Sequence, residues 1–134
     1  MSDNTKTLKS ALIGNATFST ISAGIFLLFS QDVAALIGLK TMPELVIATG
    51  VGLLGFMAYI VLTLTKLPDA EAMTKSIILG DWGWVLASIV AVIFFANAIP
   101  GPGLFAILFV AAIVASFALW QTQGLRKMGL KKLA

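Results

Sequence analysis

Long stretches of apolar residues alternate along this chain with short polar segments, and the pattern predicts four membrane-spanning helices. Each stretch has about 20 residues, which at a rise of about 1.5 Å per residue covers a hydrocarbon core of about 30 Å. Only one charged residue, Asp81, falls within them. The four predicted spans are Ala11 to Ser30, Leu45 to Thr65, Ser76 to Asn97 and Gly103 to Trp120.

These spans predict an all-α integral membrane protein, an antiparallel four-helix transmembrane bundle in one domain over residues 1–134. Barrel strands would instead alternate with a period of two over about ten residues. The first stretch follows a polar start, as a secretory signal does. It is longer than a signal core of about 7–15 residues, and no A-x-A site follows it, so we expect it to be retained.

The composition fits a chain surrounded by lipid. Hydrophobic residues make up 59% of the chain and charged residues 11%, whereas a soluble domain carries roughly 25% charged residues. The chain has no cysteine and no histidine, which excludes disulfides, thiolate nucleophiles and the usual zinc and haem ligands. We therefore predict no metal and no cofactor.

Basic residues lie beside the apolar stretches, mostly on one side of the predicted membrane. Eight of the nine are in the amino-terminal tail, the loop between the second and third spans, and the carboxyl-terminal tail; the opposite side has only Lys40. Cytoplasmic segments next to membrane helices are enriched in lysine and arginine, so we predict that both termini are cytoplasmic. This distribution explains the net charge of +3 without a nucleic-acid partner.

The tail 121–134 is predicted to continue the fourth helix, with its basic residues close to anionic lipid head groups. These residues are Arg126, Lys127, Lys131 and Lys132. In the loops, Pro100 to Gly103 predict a tight hairpin between the third and fourth spans. Residues 32–39 predict either an irregular loop or a short interfacial helix with Asp32 as its cap and Gly38 at its end. Asp69 is expected to cap the third long helix.

Small residues predict where the helices approach one another, because lipid is as apolar as leucine and does not drive helices together. The second span carries Ala48, Gly52 and Gly55, the first Ser19 and Ser22, and the third Gly80 and Gly83. These residues could close a four-helix bundle or join two copies of the chain, and the sequence does not decide between the two.

Asp81 is the strongest candidate for a functional residue. A carboxylate near mid-bilayer costs about 2.5–3.5 kcal/mol on insertion scales, so it normally faces protein or a water-filled cavity. Other hydrogen-bonding groups predicted at a similar depth are Asn15, Tyr59, Trp84, Trp120 and Gln121. We interpret this cluster in two ways: as hydrogen bonds that hold the bundle in register, or as a proton, cation or amphiphile site open to the cytoplasm. The tryptophans either anchor the bundle at the membrane interface or offer a stacking surface to a flat lipophilic ligand such as a quinone.

Three short motifs carry a resemblance to known proteins: Asn15-x-x-Phe18-Ser19, Gly38-Leu39 and Asp81-x-x-Trp84. In these motifs the chain is similar to an uncharacterised family of small four-span bacterial inner-membrane proteins. The resemblance covers almost the whole chain. It implies the four-helix fold and a bacterial inner (plasma) membrane location, and it implies no activity.

Three functions are compatible with these features. The leading hypothesis is a non-enzymatic accessory or assembly component, which contacts a membrane-protein partner or further copies of itself as well as lipid. The second is a small transporter or channel with a site at Asp81, although Asp81 has no ionisable companion within the spans. The third is a lipid- or quinone-binding protein or an enzyme; no recognised spacing of nucleophile and base is present.

Overall fold

The computed structural model describes residues 3–133, and it describes side chains for residues 5–129. Every element within that range is a helix, which confirms the predicted all-α fold. The helices are α1 (Asp3–Leu28), α2 (Ser30–Leu36), α3 (Pro43–Thr65), α4 (Glu71–Phe95) and α5 (Gly101–Leu133). The four long ones are, by length and composition, apolar enough to cross a membrane. The chain therefore has the architecture of a multi-pass helical membrane protein.

The helices extend further than the predicted spans. α1 begins at Asp3 rather than at Ala11, and α5 continues to Leu133, well beyond Trp120. An apolar pattern marks only the part of a helix that lies in hydrocarbon. The helix itself continues into the neighbouring polar residues, because none of them breaks it. Two predicted spans are too long at their carboxyl-terminal ends: Ser30 already belongs to α2, and α4 ends at Phe95, before Asn97.

The four long helices form an antiparallel bundle in which one pair of neighbours is loosely packed. α1 packs along α3 on one side and along α5 on the other, and α4 packs along α5. By contrast, α3 and α4 touch at only a few positions, although they follow each other in the chain. The order around the bundle is therefore α3, α1, α5 and α4.

The end of the bundle that holds both chain termini has a continuous apolar core, here called the terminal core. It consists of Leu8, Leu12, Ala16, Ile60, Ile77 and Met128. Gly124 allows the backbones of α5 and α1 to approach each other there, since a Cβ at Gly124 would come within 2.7 Å of the Leu8 Cα. The tail after Trp120 is thus helical, as predicted, and the part of it up to Met128 also packs within the bundle.

The short helix α2 covers the opposite end of the bundle. Its Ala34 is fully buried, and Gly38 follows with a φ of 83° while the Leu39 amide donates to the Ala34 carbonyl at 2.7 Å. Glycine permits this left-handed helix end. The predicted helix and the role of Gly38 are confirmed, but Asp32 is not its cap. Asp32 lies within the first turn, and Phe29 occupies the N-cap position without a side-chain hydrogen bond.

The two connections that involve α4 follow the sequence prediction in outline. Residues 96–100 form the hairpin before α5, with the Leu104 amide donating to the Pro100 carbonyl at 3.0 Å. α4 begins before the predicted span, as expected, but Asp69 does not cap it. Ala70 holds that position, and the Asp69 amide instead donates to the Lys66 carbonyl in the preceding turn at 2.8 Å.

The small residues of α3 do not make the contacts within the chain that were expected of them. Ala48, Gly52 and Gly55 are exposed, and a Cβ at either glycine would meet no atom within 4 Å. Gly50 makes the close approach instead, since a Cβ there would lie 2.9 Å from Leu27 Cγ of α1. Residue spacing alone identifies a helix face made of small residues, but it does not show whether that face meets the neighbouring helix.

The other predicted packing residues divide between the interior and the surface. Ser19 is buried and Ser22 half-buried on α1. On α4, a Cβ at Gly83 would meet no atom within 4 Å, whereas one at Gly80 would lie 3.4 Å from the Phe56 ring of α3. Contacts between copies of the chain through the exposed members stay a prediction.

Candidate functional site

Three helices each contribute one buried polar side chain to a single point in the bundle. Asn15 of α1, Asp81 of α4 and Gln121 of α5 are 2%, 3% and 0% exposed. The Asn15 Nδ2 donates to Asp81 Oδ2 and to Gln121 Oε1, each at 2.9 Å. The Gln121 Nε2 donates to the same Asp81 Oδ2 at 2.7 Å. We call these three residues the polar triangle.

Ser19 adds a fourth hydrogen bond, one turn further along α1. Its hydroxyl donates to Asn15 Oδ1 at 3.4 Å, and its side chain is 3% exposed. This bond fixes the orientation of the Asn15 amide, so that its N–H groups point to Asp81 and Gln121. The sequence predicts Ser19 as a packing residue, and its spacing of four from Asn15 places the two side chains on one helix face. The spacing does not show that the two side chains form a hydrogen bond.

Two residues predicted for this cluster lie elsewhere. Tyr59 packs against the terminal core. Trp120 is 40% exposed on α5, where it stacks on Phe117 with ring centroids 6.5 Å apart. The position of a residue along its helix determines its depth in the membrane but not the direction of its side chain, since consecutive residues of a helix point about 100° apart. Trp120 and Gln121 therefore share a depth and point to different surroundings.

An apolar cavity extends from the polar triangle towards α2. The part beside the triangle has a volume of about 330 Å³ and is lined by all four long helices, with Asn15 and Asp81 among its walls. The second part has a volume of about 500 Å³ and reaches the residues of α2. Phe18, Ser22 and Trp84 line both parts, so the two parts adjoin each other.

Polar groups without a partner among the described side chains line this cavity. The two amides both donate to Asp81 Oδ2, and Oδ1 accepts no hydrogen bond from the described residues. The Ser22 hydroxyl and the Trp84 indole N–H likewise bond to none of them. A molecule inside the cavity could thus bond to the Asp81 carboxylate as an acceptor, to the Trp84 indole as a donor and to the Ser22 hydroxyl as either, while most of the wall is apolar.

The terminal core separates the polar triangle from the end of the bundle that holds the termini. Ile77 precedes Asp81 by one turn of α4, and Leu12 precedes Asn15 by three residues on α1; both belong to that core. The cavity extends in the opposite direction, towards α2. An opening of the site towards the predicted cytoplasmic side stays a prediction.

The basic residues of the tail are only partly within the described region. Arg126 and Lys127 are exposed on α5, and Lys127 Nζ donates to Thr7 Oγ1 of α1 at 3.3 Å. The side chains of Lys131 and Lys132 lie outside the residues whose side chains are described. Contact between these four residues and lipid head groups stays a prediction.

Comparisons with family models, with curated proteins and with solved structures find no match to this chain. The interpretation of the site therefore depends on its own geometry. Over the described residues, no three histidine, cysteine, aspartate or glutamate side chains lie together as a metal site requires. The arrangement is a carboxylate held by two amides at one end of an apolar cavity, which suits a molecule with an apolar body and a polar head.

Proposed function

We propose that this protein is a non-enzymatic membrane protein that binds an amphiphilic, lipid-like molecule between its helices. The apolar body of the ligand occupies the cavity, and its head group binds at the polar triangle. One observation carries the proposal: Asp81 is a buried carboxylate with one oxygen unpaired by the described residues, at the end of an otherwise apolar cavity.

The size and lining of the cavity support a ligand rather than a packing defect. Binding sites for small molecules have volumes of about 300–1,000 Å³, with mainly apolar walls and a few placed polar groups. Both parts of the cavity have volumes in that range, at about 330 Å³ and about 500 Å³. Walls with nothing against them lose dispersion contacts, so an apolar occupant would stabilise the bundle.

The polar triangle supports recognition of a head group that donates a hydrogen bond. Asp81 Oδ2 already accepts two N–H groups, which fixes the carboxyl group in one orientation. The Oδ1 atom then presents an acceptor to the cavity. A polar atom in hydrocarbon gains more from a hydrogen bond than one in water, where solvent competes for it.

Transport of ions fits this geometry less well. An ion would need a polar route to Asp81 from both sides of the membrane. On the terminal side Ile77 and Leu12 belong to an apolar core, and on the other side the cavity wall is almost entirely apolar. We therefore propose binding, and we expect no proton flux through the isolated protein.

Photo-crosslinking of a lipid-like probe tests the proposal. The probe is hexadecanol with a diazirine on its chain, added to the purified protein in phosphatidylcholine nanodiscs. We expect saturable labelling of residues that line the cavity, such as Ile25 and Ala91. Asp81→Asn should weaken the apparent affinity about tenfold, since a hydrogen bond to a charged group contributes about 1.5 kcal/mol.

Asp32→Asn is the matched control, because Asp32 is an exposed carboxylate on α2 that does not line the cavity. Its affinity for the probe should equal that of the wild type. Labelling that does not saturate would refute the binding function. Equal affinities for the wild type and both variants would show that the polar triangle does not recognise the head group.

The exposed small residues of α3 favour a second function, that of an accessory or assembly component. Ala48 and Gly55 are exposed and do not line the cavity, and a Cβ at Gly55 would meet no atom within 4 Å. Small residues at an interface let the backbones of membrane helices approach closely. A helix of a partner protein or of a second copy could pack on this flank.

Gly55→Leu tests this second function without altering the cavity. Native mass spectrometry of the protein released from nanodiscs would compare wild type and variant. Association through α3 predicts a dimer or a bound partner for the wild type and a monomer for Gly55→Leu. A monomer in both cases would leave the accessory function without support.

We also infer that the protein lies in a bacterial inner membrane with both termini in the cytoplasm. The support is the lysine and arginine distribution in the sequence, eight on the terminal side against one on the other, together with the resemblance of three motifs to small four-span bacterial proteins.

A further inference from the structure

The cavity borders the gap between α3 and α4, the two neighbouring long helices that touch at only a few positions. Gly52 of α3 and Gly80 of α4 both line the cavity and are both exposed. A Cβ at Gly52 would meet no atom within 4 Å, and one at Gly80 would meet only the ring of Phe56. The Phe56 ring lies beside Gly80, and the backbones of Gly52 and Gly80 border the gap between the cavity and the surrounding hydrocarbon.

The ends of the cavity are more tightly closed. The terminal core fills the interior on one side of the polar triangle. On the opposite side, α2 lies against the hairpin so closely that a Cβ at Gly38 would come within 2.6 Å of the Ala98 carbonyl oxygen. A Cβ at Gly103 would overlap the Leu36 carbonyl group. The gap between α3 and α4 therefore gives a molecule from the hydrocarbon layer a path to Asp81.

We propose that the gap bordered by Gly52 and Gly80, here called the lateral opening, admits the ligand sideways from the hydrocarbon layer, and that the ligand is an uncharged lipid with a hydroxyl head group. This inference rests on the proposed binding function. A sideways path excludes a charged head group, because moving a charge through hydrocarbon is strongly unfavourable. A hydroxyl group crosses hydrocarbon at a much lower cost.

The polar groups of the cavity match a hydroxyl in both of its hydrogen-bonding roles. Its O–H can donate to Asp81 Oδ1, and its oxygen can accept from the Trp84 indole N–H or the Ser22 hydroxyl, which line the same cavity. A quinone has acceptors only and cannot donate to a carboxylate. A fatty acid would bring a second carboxylate next to Asp81, which like-charge repulsion disfavours.

The rate of photo-labelling tests the lateral opening. The diazirine-bearing hexadecanol is added to nanodiscs that contain wild type, Gly52→Ala, Gly52→Leu or Gly83→Leu, and labelling is followed over time. Gly52→Leu should lower the initial rate about tenfold or more, and Gly52→Ala should lower it less. Gly83→Leu is the matched control, because Gly83 is exposed on α4, has open space around it and does not line the cavity.

The space around Gly52 indicates that these variants fold, and equal circular dichroism and unfolding midpoints would verify it. The head-group class is tested by hexadecanoic acid with the same diazirine, which should not label the wild type saturably. Equal initial rates for Gly52→Leu and Gly83→Leu would overturn the lateral opening, and saturable labelling by the acid would overturn the hydroxyl class. Failure of hexadecanol to label even the wild type would instead refute the binding function itself.

Discussion

Asp81 shows how a carboxylate is tolerated within a membrane-spanning helix. Its Oδ2 accepts N–H groups from Asn15 of α1 and Gln121 of α5, so that the charge-bearing group is shared by three helices. Single hydrogen bonds between membrane helices contribute about 0.6 kcal/mol on average. Their sum is smaller than the cost of about 2.5–3.5 kcal/mol for the carboxylate. The stability of the bundle alone therefore does not explain the presence of Asp81 within a membrane-spanning helix.

Asn15→Ala should destabilise the bundle by about 1–2 kcal/mol, because it removes two N–H donors and the acceptor of the Ser19 hydroxyl. The measurement is the unfolding midpoint of the purified protein in mixed micelles as the fraction of dodecyl sulfate rises. Thr17→Ala is the control, since Thr17 is exposed and its hydroxyl bonds only to the Ile13 carbonyl of its own helix. An equal decrease in the unfolding midpoint for both variants would contradict the proposed stabilisation of the bundle by Asn15.

At the residue scale, the sequence predicts which residues can join the polar triangle, but it does not show which of them do. Asp81, Asn15 and Gln121 could be identified because they are polar, lie at a similar depth and belong to three different predicted helices. Tyr59 and Trp120 meet the same criteria and lie elsewhere. Their positions depend on the rotation of each helix about its axis, and a nearly uniform apolar helix carries no polar stripe that would reveal it.

At the scale of the helices, composition determines their number and type but not their ends. Residues before Ala11 and after Trp120 are polar enough to lie outside hydrocarbon, yet they continue α1 and α5 and pack against each other. Gly124 is the residue that permits this contact, because a Cβ there would lie 2.7 Å from both the Leu8 Cα and the Leu8 amide nitrogen. Nothing in the local sequence distinguishes it from Gly129.

Gly124→Ala and Gly129→Ala should therefore change stability in opposite directions. Alanine in a helix is more favourable than glycine by about 0.5–1 kcal/mol, so Gly129→Ala, with open space around it, should be neutral or stabilising. Gly124→Ala forces α5 away from α1 and should cost about 1–3 kcal/mol. Thermal unfolding in detergent, followed by circular dichroism, compares the two. A rise in the unfolding midpoint of Gly124→Ala would mean that α1 and α5 do not pack closely there.

At the scale of the whole molecule, the sequence predicts a bundle and leaves its internal order open. The structure shows α1 between α3 and α5, and it leaves α3 and α4 in loose contact. Long apolar helices offer many equivalent faces, so only a few residues select among the arrangements. Gly50 against Leu27 and the polar triangle are two such contacts, and neither could be assigned to a helix pair beforehand.

The predicted orientation of the molecule is testable because the chain has no cysteine. Intact bacterial cells that carry the single-cysteine variant Lys6→Cys, Gly101→Cys or Lys127→Cys would be treated with a membrane-impermeant maleimide. We expect labelling at Gly101 only, and labelling of all three after lysis, because the termini lie on the side that is rich in basic residues. Labelling at Lys6 or Lys127 in intact cells would reverse the assignment.

The polar triangle joins α1, α4 and α5, and α3 supplies none of its side chains. A displacement of α3 alone would leave every hydrogen bond of the triangle intact, whereas a displacement of any of the other three long helices would break at least one. The four long helices are therefore held in two different ways: hydrogen bonds between side chains link α1, α4 and α5, whereas α3 is held by its packing along α1. Since α3 also borders the gap beside Gly80, the α3 edge of that gap is positioned by α1 and not by the polar triangle.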